Sequence, residues 1–186
     1  MSDYRNDNRS HSNEGRGRGR GGPPRRGIPL SELDPTLTSI SHKVIGCARD
    51  VHMALGGGYD ESVYMTALQQ EMRAQGVNFK PNHSIPVKYK DQVVGHSICD
   101  LLIEDRFIVD VMAAYRDVNG GERSTLRAQL KSADLELGLI INFAGRLLKD
   151  GLVRVLNVDK INAAKGITAG DHHDGEDAMY DFDEKA

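Results

Sequence analysis

At Gly76 the apolar residues of this 186-residue chain change their spacing, and that change limits the folds open to it. Before Gly76, Ile40, Val44, Cys47, Ala48, Val51 and Leu55 recur at steps of three and four, which predicts a helix. Thr38 or Ser39 is the expected cap, and Gly56-Gly57-Gly58 the expected stop. A second helix is expected from Asp60, as cap, to Gln75. Beyond Gly76 the spacing falls to two. Strands are expected over 84–89, 94–103 and 107–113, with turns at 90–92 and 104–105. The third is apolar on both faces, as a central strand would be. A polar Gly-Gly loop over 117–122 precedes a helix over 124–133, a buried strand over 137–143 and an edge strand over 152–158. Two helices, three strands, a helix and two strands predict an α/β fold, a mixed sheet flanked by helices.

Both ends lack the apolar side chains a core requires. The reading is therefore a disordered basic arm over 1–36, a domain over 37–158 and a flexible acidic tail over 159–186. Residues 1–27 carry seven Arg against three acids, a net +4, and 170–186 carry seven acids against one Lys, a net −6. Arg16, Arg18, Arg20, Arg25 and Arg26 form an RG-type low-complexity run. Such planar, permanently charged donors suit RNA or single-stranded DNA, and the bland alternative is a solubilising tail. The two cysteines, Cys47 and Cys99, sit in apolar stretches with no metal-binding spacing, which predicts buried reduced thiols. No run is apolar or long enough for a membrane helix, and no signal peptide is visible, so a cytoplasmic location is expected, with no membrane partner.

Four residues stand out chemically. Asp100 and Asp110 are acids inside apolar strands, a costly placement unless they are paired or bind a metal. Glu61 opens the second helix, where it would also favour the helix's positive end. Gln129 lies on the helix that follows the Gly-Gly loop. Adjacent strands can bring Asp100 and Asp110 together, and with Glu61 nearby they could hold Mg²⁺ through oxygen ligands. Gly56-Gly57-Gly58 lacks the Lys of a phosphate-binding loop and reads as a helix stop.

The segments Leu55-Gly-Gly-Gly-Tyr-Asp-Glu-Ser-Val-Tyr64, Gln70-Glu-Met-Arg-Ala-Gln-Gly76, Ile85-Pro-Val-Lys-Tyr89 and Leu139-Ile-Ile-Asn-Phe143, in this order, resemble the blocks of the GxxExxY family. That family is a branch of the PD-(D/E)XK nuclease-like superfamily. The resemblance implies a restriction-endonuclease-like core in which strand acids and a Lys surround a divalent metal and cut phosphodiester bonds. By resemblance, Glu61, Asp100, Asp110 and Gln129 occupy site positions, with Asp100 and Asp110 as metal ligands. Asp110 stands where the family usually has Glu, and Met112 stands where it has the catalytic Lys. The segment after Gln129 is about four residues short and lacks the family's Tyr. Mg²⁺ binding is therefore expected to be possible but open to loss. The expected function is a degenerate nuclease-like module that binds nucleic acid with weak or no cleavage. The alternatives are an active Mg²⁺-dependent nuclease whose cation has moved, to Lys131 or Lys88 for example, or a protein-interaction module.

Overall fold

The computed structural model describes residues 33–166. Two helices lead, α1 (Pro35–Leu55) and α2 (Glu61–Ala74). Three strands follow, β1 (Phe79–Tyr89), β2 (Gln92–Ile103) and β3 (Phe107–Met112). Then come α3 (Gly120–Ala133), β4 (Leu137–Asn142), a short 3-10 turn (Leu148–Gly151), β5 (Leu152–Leu156) and α4 (Val158–Ala164). The strands form one five-stranded sheet in the order β1-β2-β3-β4-β5. All pairings are antiparallel except β3 with β4, which run parallel across the α3 crossover. The expected mixed sheet with flanking helices is present, and β3 is its central strand.

Each face of the sheet has its own core. Leu101, Ile103, Val109, Val111, Leu139 and Ile141 pack against α1 and α2, through residues such as Val44, Ala48, Tyr64 and Leu68. Leu102, Ile108, Met112 and Ile140 pack against Leu126 and Leu130 of α3. The alternation along β3 follows from the period of two. Both cysteines are free and buried.

Several element ends differ from expectation, each for a local reason. α1 begins at Pro35, inside the expected arm. Asp34 caps it, its carboxylate accepting from the N–H groups of Thr36 (2.7 Å) and Leu37 (3.3 Å). Pro35 fits the first turn because its missing N–H has no partner there in any helix. Leu33 is buried beside that turn. Asp60 precedes α2 but makes no side-chain capping bond. β1 starts at Phe79, five residues early, through a Pro and polar segment that an edge strand tolerates. The Gly-Gly pair read as loop forms the first turn of α3, set by a capping box in which Asn119 and Glu122 each satisfy the other's backbone. α4 occupies residues read as tail, started by Asn157, whose side chain accepts from the Lys160 N–H. The arm residues Arg16, Arg18, Arg20, Arg25 and Arg26, and the tail from 167, lie outside the described residues.

Candidate functional site

The β2–β3 ladder holds for only three pairs, Leu101↔Val109, Leu102↔Ile108 and Ile103↔Phe107. Past it the strands part. β2 continues away from the sheet, paired with β1 alone in a long hairpin. Asp100 and Asp110 face one another at this fork, one step beyond the last ladder pair. The Asp100 carboxylate bridges the strands where the ladder bonds stop. Asp100 Oδ2 accepts from the Val111 N–H at 2.8 Å.

Three carboxylates feel each other here. Burial pushes the Asp110 carboxyl from 3.8 up to about 7, aided by the Asp100 and Glu61 charges and only partly offset by the Asp100 N–H. Burial also raises Asp100, against the Val111 N–H. Glu61 is raised by burial and then by the Asp100 charge. The fold thus sets Asp100 and Asp110 opposite one another on adjacent strands, with Glu61 near enough for its charge to bear on Asp110.

Gln129 plays a different part. It is buried, and its side-chain nitrogen donates to Ser97 Oγ and to the Ile98 carbonyl, both at 3.1 Å. It therefore ties α3 to β2 just before Asp100, on the stretch that has left β3. Its Oε1 is buried without a partner.

Met112 is buried and shares a cleft of about 460 Å³ with Asp110, Asn119, Glu122, Thr125 and Ile140. Lys131 is ion-paired with Asp159 of α4 at 2.7 Å, and Lys88 lies near the hairpin tip opposite Val93. Neither of the two lysines considered as a relocated cation lines the cleft that holds Asp110 and Met112.

Sequence reasoning passed over the groups that build the rim. Asn142, 5% exposed, ends β4 beside Met112. Its amide donates to the carbonyls of Ala114 (2.8 Å) and Arg116 (2.9 Å) and accepts from the N–H groups of Ala114 (3.1 Å) and Ala144 (3.2 Å). One side chain thus fixes the loops that follow both parallel strands. The buried Tyr64 hydroxyl donates to the Gly56 carbonyl (2.7 Å) and accepts from the Tyr59 N–H (3.2 Å), which fixes the loop leading to Glu61. His52 Nε2 lies 2.9 Å from the Gly145 carbonyl. A polar residue closing an otherwise apolar strand was the available signal for Asn142.

The donor set is hard oxygen. Among the described residues no group of three His, Cys, Asp or Glu side chains forms a ready metal cage. Mg²⁺ does not require one: it commonly takes one or two carboxylates and completes its octahedron with water and substrate phosphate. Asp100 and Asp110 fit that use.

A family model described as the PD-(D/E)XK nuclease superfamily matches residues 38–155. Curated proteins and solved structures give no match. No helix among the described residues is long and apolar enough to cross a membrane.

Proposed function

The chain belongs to the PD-(D/E)XK nuclease superfamily, and from that premise we propose that it is a degenerate member, a nucleic-acid-binding module with weak or no cleavage. The observation that carries this reading is Met112, buried in the cleft it shares with Asp110. Phosphodiester cleavage builds negative charge on the phosphate oxygens, and such enzymes meet it with metal and a fixed cation. A thioether supplies neither charge nor proton. Asp100 and Asp110 would hold Mg²⁺, which when bound polarises a phosphate and lowers the pKa of its water. The chain's own part would be to orient that ion through two carboxylates, that of Asp100 braced by the Val111 N–H. Binding and cleavage therefore come apart. The RG arm adds sequence-independent phosphate contacts.

The test is cleavage of duplex DNA, single-stranded DNA and RNA with Mg²⁺ or Mn²⁺. The unmutated protein is expected to show background or trace activity. Met112→Lys should raise metal-dependent cleavage, by about 10²–10³ if the lost cation is the main defect. Asp110→Asn should then abolish the gain. Robust cleavage by the unmutated protein, lost on Asp110→Asn, overturns the reading in favour of an active enzyme.

A further inference from the structure

Tyr115 is 81% exposed, yet the backbone of its loop is hydrogen-bonded to a buried side chain. Asn142 bonds both the N–H and the carbonyl of Ala114 and the carbonyl of Arg116, so the backbone on either side of Tyr115 is fixed from a buried side chain. Arg116 is held in turn, donating to the Asp117 carbonyl at 3.2 Å and to the Glu122 carboxylate. Core packing gives no reason to present a large ring to solvent on so rigid a support. Rigid, exposed aromatics with an adjacent Arg are how single strands are gripped: bases stack on the rings at little entropic cost.

The neighbours extend this surface. Tyr115 Oη lies 3.6 Å from where a Cβ on Gly58 would stand, so its ring leans on the loop that carries Tyr59. Tyr59 is 53% exposed and packs edge-on against the buried Tyr64, with centroids 6.2 Å apart. Both loops lead to the fork. Tyr59 precedes Glu61 by two residues, and Tyr115 follows Met112 by three. Arg116 is bonded to Glu122, a wall of the cleft that holds Asp110 and Met112. A second cavity, of about 270 Å³, opens beside Tyr115 and is walled by Arg116, Asp117, Asn142 and Asp150. Its two carboxylates disfavour a phosphate there and suit a neutral planar ring with hydrogen-bond donors.

We propose that Tyr115, with Tyr59 and Arg116, forms a stacking platform for an unpaired base of a nucleic-acid strand entering the fork. This rests on the nucleic-acid-binding reading and adds a preference to it. A paired base in a duplex presents no free face to the ring, so single-stranded or locally unpaired substrate is selected.

The experiment uses the full chain and a short single strand with one internal 2-aminopurine, whose fluorescence is quenched by stacking, beside the same sequence as a duplex. The unmutated protein should bind the single strand more tightly and quench the probe. Tyr115→Ala should lose the quench and weaken single-strand binding about tenfold. Tyr115→Phe should keep both, and duplex binding should not change with either variant. Wild-type affinity and quench in Tyr115→Ala overturn the platform while leaving nucleic-acid binding intact. Failure of the unmutated protein to bind either strand form removes both readings together.

Discussion

Asp110 carries a negative charge where the surroundings oppose it, and the sign of its effect on stability can be worked out. Its pKa rises on folding, from 3.8 to about 7, so the folded state favours the protonated form. That contribution is fully present below the unfolded pKa and is lost as pH rises through about 7. In chelated buffer, stability against urea should therefore fall between about pH 4 and pH 8 by an amount on the order of a few kcal/mol. Asp110→Asn should flatten that slope and be the more stable protein at about pH 8. Mg²⁺ added at about pH 8 should stabilise the unmutated protein and not the variant. Parallel pH profiles for the two proteins would remove Asp110 as the source. The acids were legible in the sequence because a charge in an apolar strand is anomalous by itself. Met112 was legible only through the resemblance. Asn142 and Tyr115 were not, since their significance arises where loops from distant parts of the chain converge. Gln129 was identified as a site residue, but its described hydrogen bonds go to β2 rather than to the carboxylates.

At the scale of elements, type and order were readable and ends were less so. Periodicity reports which face is buried, and it weakens where capping chemistry takes over. The Asp34-Pro35 start of α1, the Asn119/Glu122 box of α3 and the Asn157 cap of α4 are all polar signals, and they lay in stretches read as arm, loop and the end of the edge strand. Glycine shows how the same residue differs by element. A Cβ on Gly57 would stand 2.8 Å from the Ala144 carbonyl oxygen, a backbone atom that cannot swing aside. Gly46, inside α1, has nothing within 4 Å of its missing Cβ. Gly57→Ala should cost about 1–3 kcal/mol as the two loops are forced apart. Gly46→Ala should gain up to about 1 kcal/mol from helix propensity. Denaturant midpoints of the two variants should move in opposite directions, and movement in the same direction would contradict the loop packing described here.

For the molecule as a whole, charge is segregated: the N-terminal 27 residues carry a net +4 and the C-terminal 17 a net −6. Removing residues 1–27 should weaken binding to RNA or single-stranded DNA and flatten its dependence on salt, because up to seven arginines no longer displace counterions. Full-length and truncated proteins compared across a salt series provide the check. Equal affinity and equal slope would make the arm a solubility device and raise the standing of a protein-interaction role.

The fork also marks where the hairpin leaves the sheet. The β1–β2 hairpin reaches from its tip at Tyr89↔Gln92 back to the sheet, where only three residue pairs fasten β2 to β3. Along one side of the hairpin Val94 and Ile98 stand exposed, with Tyr89 and Val93 at the tip. Asp100 sits where the β2–β3 ladder ends, and the Gln129 amide bonds Ser97 and Ile98 just before it. Ile85 and Cys99 anchor the base of the hairpin in the core with Leu126 and Leu130 of α3, so the carboxylate pair stands where the packed part of the hairpin ends its pairing with β3.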